Sequence, residues 1–316
     1  MPNWDPNLMQ QSIALIVFVG CVVTIFALFG TLLVRLGIEY ATKRVRPVLR
    51  RKDVVVLVLG TIGVLCVLYG LLIEPFWLAV EHVRLSSNKI HKGETVRVVQ
   101  ISDLHCDATT RLEDKLPGVI SAEKPDVIVF TGDAINMPQG LPIFRNCLQR
   151  LAKIAPTFVV KGNWDAWFFK NLDRFGGTGA IELTGKPIKV RIKDSDVWIG
   201  GLPVGTSNSV QEVLKDVPEQ DYRIFLFHYP DYIEEMAKNK IDLYLAGHTH
   251  GGQVALPFYG ALITLATTGK KYESGLHHLG NTFMYTNRGI GMEGGRAPRV
   301  RFCARPEVTV IDITNP

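Results

Sequence analysis

Two long uncharged apolar runs, Ile13–Val34 and Val54–Ile73, limit what this chain can fold into more than any other feature. At 22 and 20 residues, each matches the roughly 20 apolar residues a helix needs to cross a bilayer core. A single soluble domain seldom has room to bury two helices so uniform, and both are read as membrane spans. A cleaved signal sequence fits the first run poorly: Met1–Ser12 holds no Lys or Arg, and no clear small-residue cleavage site follows.

Charge divides along the chain in the same way. The net charge of +5 arises within the first 92 residues, and Lys/Arg and Asp/Glu balance over the rest. A neutral remainder without a basic tract is a poor match for nucleic-acid phosphates. The lipid bilayer is the expected partner, nucleic acid is not expected, and nothing points to a protein partner. Between the two runs, residues 35–52 carry Arg35, Lys43, Arg44, Arg46, Arg50, Arg51 and Lys52 against the single Glu39. Short basic loops stay cytoplasmic, which sends everything after Ile73 to the extracytoplasmic side. Glu74-Pro75-Phe76-Trp77 reads as an interfacial anchor. The five cysteines are scattered and odd in number, so no disulfide framework is expected.

From Thr95 onward the pattern changes to short apolar strands. Thr95–Ile101, Asp126–Phe130, Thr157–Val160, Ile188–Ile192, Val197–Ile199, Ile224–Phe227, Leu243–Ala246, Thr282–Thr286 and Val308–Ile313 read as strands. Helices are expected over Arg111–Glu123 and Leu141–Ala155. Strands alternating with helices early and following one another late predict a layered α/β sandwich.

Five of these strands run directly into polar residues. The junctions are Asp103-Leu104-His105, Gly132-Asp133, Gly162-Asn163, His228, and Gly247-His248-Thr249-His250. Ligands of α/β sheets bind at the carboxyl ends of strands, so these side chains are expected to converge. Imidazole suits transition metals, whereas carboxylate and amide oxygen suit harder ions such as manganese. Seven donors (Asp103, His105, Asp133, Asn163, His228, His248 and His250) exceed what one tetrahedral zinc accepts. They suit two ions sharing a carboxylate, a pair that steadies both the attacking and the leaving oxygen of a phosphoryl displacement.

In these ordered blocks the chain resembles the calcineurin-like metallophosphoesterases, whose pattern is D-x-H, GD, GN followed by a variable residue and an acid, H, and GHxH. Here the third block stands as Gly162-Asn163-Trp164-Asp165. Gly251-Gly252-Gln253 and Arg288-Gly289-Ile290-Gly291 make it similar to the membrane-associated branch of the YkuE and YaeI type. The resemblance implies a β-sandwich of two mixed sheets flanked by helices over 95–313, after a transmembrane hairpin over 1–80 and a linker over 81–94. It further implies that Asp103, His105, Asp133 and His250 hold one divalent ion and Asp133, Asn163, His228 and His248 a second. Manganese is expected first, with iron, zinc or cobalt as alternatives. Asp133, Asn163 and His228 are then the residues on which catalysis turns.

One position departs from the family pattern. Trp164 stands where many members carry a histidine, and it is taken as a substrate contact. An alkoxide leaving group needs a general acid, whereas a phosphate of pKa roughly 6 does not. Either the substrate is a pyrophosphate, or another residue such as His277 or His278 supplies the proton. Asp165 is expected to orient its loop. Trp164, Trp167, Phe168 and Phe169 form either the buried face of a helix or an apolar wall for an acyl chain. Arg288, Arg296, Arg299, Arg301 and Arg305 surround Gly294-Gly295, and Arg288 and Arg296 are taken as phosphate contacts, with a solvated loop as the alternative.

These readings combine into a two-metal phosphoesterase or pyrophosphatase anchored in a bacterial inner or plasma membrane and acting on an amphipathic phosphorylated substrate. Similarity to the UDP-2,3-diacylglucosamine pyrophosphatases of lipid A synthesis makes that compound the leading substrate. It is cytosolic, however, whereas the basic loop places the catalytic domain outside. A phospholipid or cell-wall phosphodiester is the alternative. A catalytically inactive interaction module of the same fold is the reading of another class, and the filled ligand positions oppose it.

Overall fold

The computed structural model describes residues 6–42, 49–295 and 298–316. Lys43, Arg44 and Arg46 of the basic loop, and Arg296, lie outside the described residues. The two apolar runs fall in helices α1 (Pro6–Ala41) and α2 (Arg51–Leu72), which are candidate membrane spans. They pack as a hairpin, with Phe29 seated on Gly60 and Phe26 on Gly63. At its tip Arg35 pairs with Asp53 at 2.9 Å, and the same carboxylate accepts from Arg50 N, satisfying a backbone donor at the start of α2.

The other ends of both helices are fastened to the globular domain. On α1, the buried Gln11 accepts through Oε1 from Thr264 N (2.8 Å) and Thr264 Oγ1 (3.2 Å), and Asn7 Nδ2 donates to Thr267 O at 3.1 Å. On α2, Gly70 O accepts from Arg301 N at 3.0 Å. Just beyond it, the fully buried Glu74 accepts from Cys303 N (2.9 Å) and Ala304 N (2.5 Å).

The domain contains two six-stranded sheets packed face to face. Its strands are β1 (Ala79–Ser86), β2 (Thr95–Ile101), β3 (Val127–Phe130), β4 (Thr157–Val159), β5 (Ile181–Glu182), β6 (Ile188–Ile192), β7 (Ser195–Gly201), β8 (Tyr222–Leu226), β9 (Leu243–Ala246), β10 (Ala255–Leu256), β11 (Gly260–Ala261), β12 (Gly275–Leu279), β13 (Thr282–Thr286) and β14 (Glu307–Thr314). The first sheet runs β1-β14-β2-β3-β4-β5, parallel except where β14 meets β2. The second runs β12-β13-β9-β8-β7-β6, with a parallel centre and antiparallel edges. Val96, Val98, Val127 and Val129 meet Ile224, Leu226, Leu243 and Leu245 between them. Helices α3 (Leu116–Ala122) and α4 (Leu141–Ala152) cover the outer face of the first sheet, and short helices cover the second. Both faces of β3 are therefore buried, which is why Val127–Phe130 is apolar without alternation.

Of residues 81–94, expected as a linker, 81–86 belong to the sheet and only 87–94 connect it to β2. Strand β1 pairs with β14 along its whole length, from Ala79↔Glu307 to Ser86↔Thr314. It is an edge strand, and Glu81, His82 and Arg84 dilute its apolar signal. The helix expected over Arg111–Glu123 is confined to Leu116–Ala122. Replacing Glu74 by Ala leaves two backbone N–H groups without their acceptor in a buried junction. The expected cost is about 2–4 kcal/mol, read as a lowered Tm of the full chain in detergent.

Candidate metal centre

The polar strand ends converge at one edge of the sandwich. Asp103 and His105 follow β2, Asp133 follows β3, Asn163 opens the short helix α5 (Asn163–Phe168) after β4, His228 follows β8, and His248 and His250 follow β9. Asp103, His105 and His250 offer donor atoms within 4.8 Å of one another, as do Asp103, Asp133 and His228. His250 Nε2 lies 3.4 Å from Asp103 Oδ1, and His228 Nε2 lies 3.2 Å from Asp133 Oδ2. His248 Nδ1 meets Asn163 Oδ1 at 2.9 Å, which brings the remaining two residues to the same edge. All seven donors expected from the sequence are thus brought together.

The backbone bends sharply to do this. Asp103, His105, Asp133, His248 and His250 all have positive φ, five of the twelve non-glycine residues that do so among the described residues. Each such conformation costs of order 1–3 kcal/mol. The loops carry their own supports: Asp103 N donates to Gly132 O, and His105 N to Asp133 O. Asp165, as expected, orients rather than faces the donors. Its carboxylate accepts from Asp133 N (2.9 Å), Ala134 N (3.2 Å) and Gly162 N (2.9 Å) and pairs with the fully buried Arg174 at 3.2 Å. Gly162 and Gly247 are required by close approach. A Cβ on either would lie 2.2 Å from Asp133 Oδ1 or 2.3 Å from Asp103 Oδ2.

Whether these residues fit a metal is decided by the imidazoles. His105 Nδ1 bonds Asn136 Oδ1 (2.9 Å) and His228 Nδ1 bonds Thr131 O (2.7 Å), so each ring turns Nε2 toward the carboxylates. Both Nε2 atoms are buried without a well-directed hydrogen bond. Burial pushes His105 and His248 down to about 4 and His250 well below its usual range. Burial also works to lower His228, but the Asp133 carboxylate outweighs it and raises that imidazole. Burial likewise works to raise Asp133, yet His228 beside it holds that carboxyl low. His105, His248 and His250 are thus held neutral around an ionised Asp133, the state a divalent cation binds, whereas His228 has to give up the proton that Asp133 favours.

Above the donors opens a cleft of about 520 Å³ lined by Trp164, Trp167, Tyr229, Asp231, Leu265 and Glu293 among others. Trp164 packs edge-on against His105 (ring centroids 5.3 Å apart), and Tyr229 packs edge-on against His248 (4.5 Å). Trp167 and Phe168 are exposed, which removes the buried-helix reading for them.

The arginines behave differently. Arg288 is not in the cleft: it pairs with Glu307 (2.8 Å) and Glu81 (2.9 Å) behind the site. Arg301 is fully buried, donates to the Gly291 and Ala304 carbonyls, and lies 3.4 Å from His250 Nδ1. Neither is free to meet a phosphate. His277 and His278 lie on β12 against Tyr272 and Phe283, away from the cleft lining.

Sequence reasoning missed Glu293 and Tyr229. Glu293 lines the cleft with Trp164, and burial raises its carboxyl above the usual range. Burial pushes the Tyr229 phenol up to about 12. The one signal for either was adjacency, of Tyr229 to His228 and of Glu293 to the Arg288–Gly291 motif.

A calcineurin-like phosphoesterase family model matches residues 96–252. The uncharacterized metallophosphoesterase YkuE of Bacillus subtilis is 33% identical over 264 residues, 78% of this chain and 89% of YkuE. The chain belongs to the calcineurin-like phosphoesterase family. Phosphodiesterase YaeI of Escherichia coli is 30% identical over 257 residues, 76% of this chain and 90% of YaeI. UDP-2,3-diacylglucosamine pyrophosphatase LpxG of Chlamydia trachomatis is 26% identical over 282 residues, 68% of this chain and 83% of LpxG. This calcineurin-like phosphoesterase is accordingly a hydrolase of phosphoester bonds, from a family that uses divalent metal ions, and its Asp and His clusters are able to hold them. Asp133→Ala is expected to lower the divalent metal carried by the purified protein and to abolish hydrolysis of bis(p-nitrophenyl) phosphate. Metal analysis alongside circular dichroism separates this from unfolding.

Proposed function

We propose that the chain is a membrane-anchored two-metal hydrolase that cleaves a phosphodiester or phosphoanhydride in an amphipathic, lipid-bearing substrate. The observation that carries this is the character of the cleft. Its charged lining residues are acidic, none of those described is Lys or Arg, and its walls are aromatic and aliphatic. Such a cleft suits an apolar tail, and leaves the substrate's phosphate charge to be met by cations.

Two divalent ions, manganese being the expected metal, would supply that charge neutralisation and an activated water. Asp103, His105, Asp133 and His250 are assigned to one ion, and Asp133, Asn163, His228 and His248 to the other. The chain's own contribution is positional. Asp165 holds the Asp133 and Asn163 loops in register, Trp164 N donates to Asp133 Oδ1 (2.9 Å), and the Trp164 and Tyr229 rings limit water at the donors.

Trp164 in place of the histidine seen in many members favours a leaving group that needs no proton, as in a pyrophosphate, and the likeness to LpxG supports UDP-2,3-diacylglucosamine as that substrate. The basic loop supports the second reading, an extracytoplasmic phospholipid or cell-wall phosphodiester. A reporter fused after Pro316 and active on one side of the membrane only decides between them: an external signal excludes the cytosolic nucleotide-lipid, and a cytoplasmic one selects it. On either side, Trp167→Ala is expected to raise KM several-fold for a lipid phosphodiester presented in micelles, with little change for bis(p-nitrophenyl) phosphate. An equal change for both substrates argues against an acyl-binding wall.

A further inference from the structure

The cleft and the foot of α1 share one loop. Thr264 and Thr267 hold Gln11 and Asn7, while Leu265 and Thr267 line the cleft and Asp231 ties the loop back through Thr268 N at 2.7 Å. Gln11 precedes the apolar run at Ile13 by two residues, about 3 Å of helix rise. The cleft rim therefore lies at the level where α1 enters its apolar stretch.

The β10–β11 hairpin projects beside this foot. Its tip, Pro257-Phe258-Tyr259, places Phe258 wholly in solvent and at φ 66°, a conformation a bulky side chain seldom adopts. Nothing in the domain packs against that ring, so folding of the domain gives no reason for it. The tip is joined to α1 through Lys270. The ammonium donates to Tyr259 O and stands 3.4 Å over the Tyr259 ring, and Lys270 and Lys271 line a shallow cavity with Asn7, Gln10 and Gln11. An exposed Phe, a Tyr and two Lys beside the end of an apolar helix are the elements of an interfacial contact. The rings suit headgroup level, and the ammonium groups suit anionic lipid.

We propose that the Pro257–Tyr259 tip, with Lys270 and Lys271, is a second membrane contact that sits in an anionic headgroup layer and holds the mouth of the catalytic cleft against the bilayer. This rests on the membrane-anchored reading above and adds the surface from which substrate enters. Phospholipid-anchored substrate reaches the donors past Leu265 and Trp167 without leaving the interface.

The test uses the full chain in nanodiscs of phosphatidylcholine with one quarter phosphatidylglycerol, carrying bromine either high or low on the acyl chains. Two single variants, Phe258→Trp and Val23→Trp, are compared with the unsubstituted protein, and the added tryptophan emission is read. The added emission of Phe258→Trp is expected to be quenched at least twofold more by shallow than by deep bromine, and that of Val23→Trp more by deep. Quenching at position 23 with none at 258 overturns the second contact and leaves the membrane anchor standing. Quenching at neither position overturns the anchor itself, and the contact with it. Phe258 touches no donor or cleft residue, so both variants are expected to keep the parent rate on bis(p-nitrophenyl) phosphate.

Discussion

The whole centre rests on a carboxylate that never meets the substrate. Asp165 is sealed from water, where an ionised group is stable only if its charge is fully met. Burial and the neighbouring Asp133 push its carboxyl up, and three backbone N–H groups and the Arg174 guanidinium work against them to hold its charge. Two of those N–H groups belong to Asp133 and Ala134 and one to Gly162, so a single buried charge fixes the ends of β3 and β4 against each other. The left-handed backbone of Asp133 is tolerable because this network over-determines it. The donors are thus strained outward from a rigid base, and their geometry is set before any cation arrives.

Much of this was legible in the sequence because central parallel strands are apolar on both faces and stop abruptly. Thr95–Ile101, Leu243–Ala246 and Thr282–Thr286 have the expected bounds, and so does the antiparallel edge strand Ile188–Ile192, whose signal is apolar–polar alternation instead. The polar residues just past the strand ends are the ones the fold brings to one edge of the sandwich. The edge strand β1 escapes because Glu81, His82 and Arg84 break up its apolar residues. Strand β1 also accounts for Arg288. Its partners are Glu81 on β1 and Glu307 at the start of β14. Only the pairing of β1 with β14 brings these carboxylates to the guanidinium, so its structural role is invisible where 81–94 reads as a linker. Glu293 and Tyr229 escaped for a different reason: both are isolated loop residues that only the folded chain brings to the cleft.

The arrangement also explains how an acidic, aromatic cleft suits phosphoryl chemistry. Arginines abound in the late segment, but those placed there serve the fold. Arg301 spends its donors on backbone carbonyls, and burial lowers it to about 9. Positive charge at the reacting phosphate is therefore left to cations, which places the burden of affinity on the seven strand-end donors. For the amphipathic substrate proposed above, the apolar walls then act on the part that carries no charge.

The attachment of the hairpin has a practical consequence. Gln11 and Glu74 are acceptors for Thr264, Cys303 and Ala304 backbone N–H groups, and those residues adjoin the cleft rim and the segment that supports His250. A fragment trimmed to begin at β1, the usual route to a water-soluble preparation, deprives three donors of their acceptors and bares the loops that shape the cleft. The helices are structural members of the catalytic domain, and a fragment without them is a different object from the enzyme it is cut from.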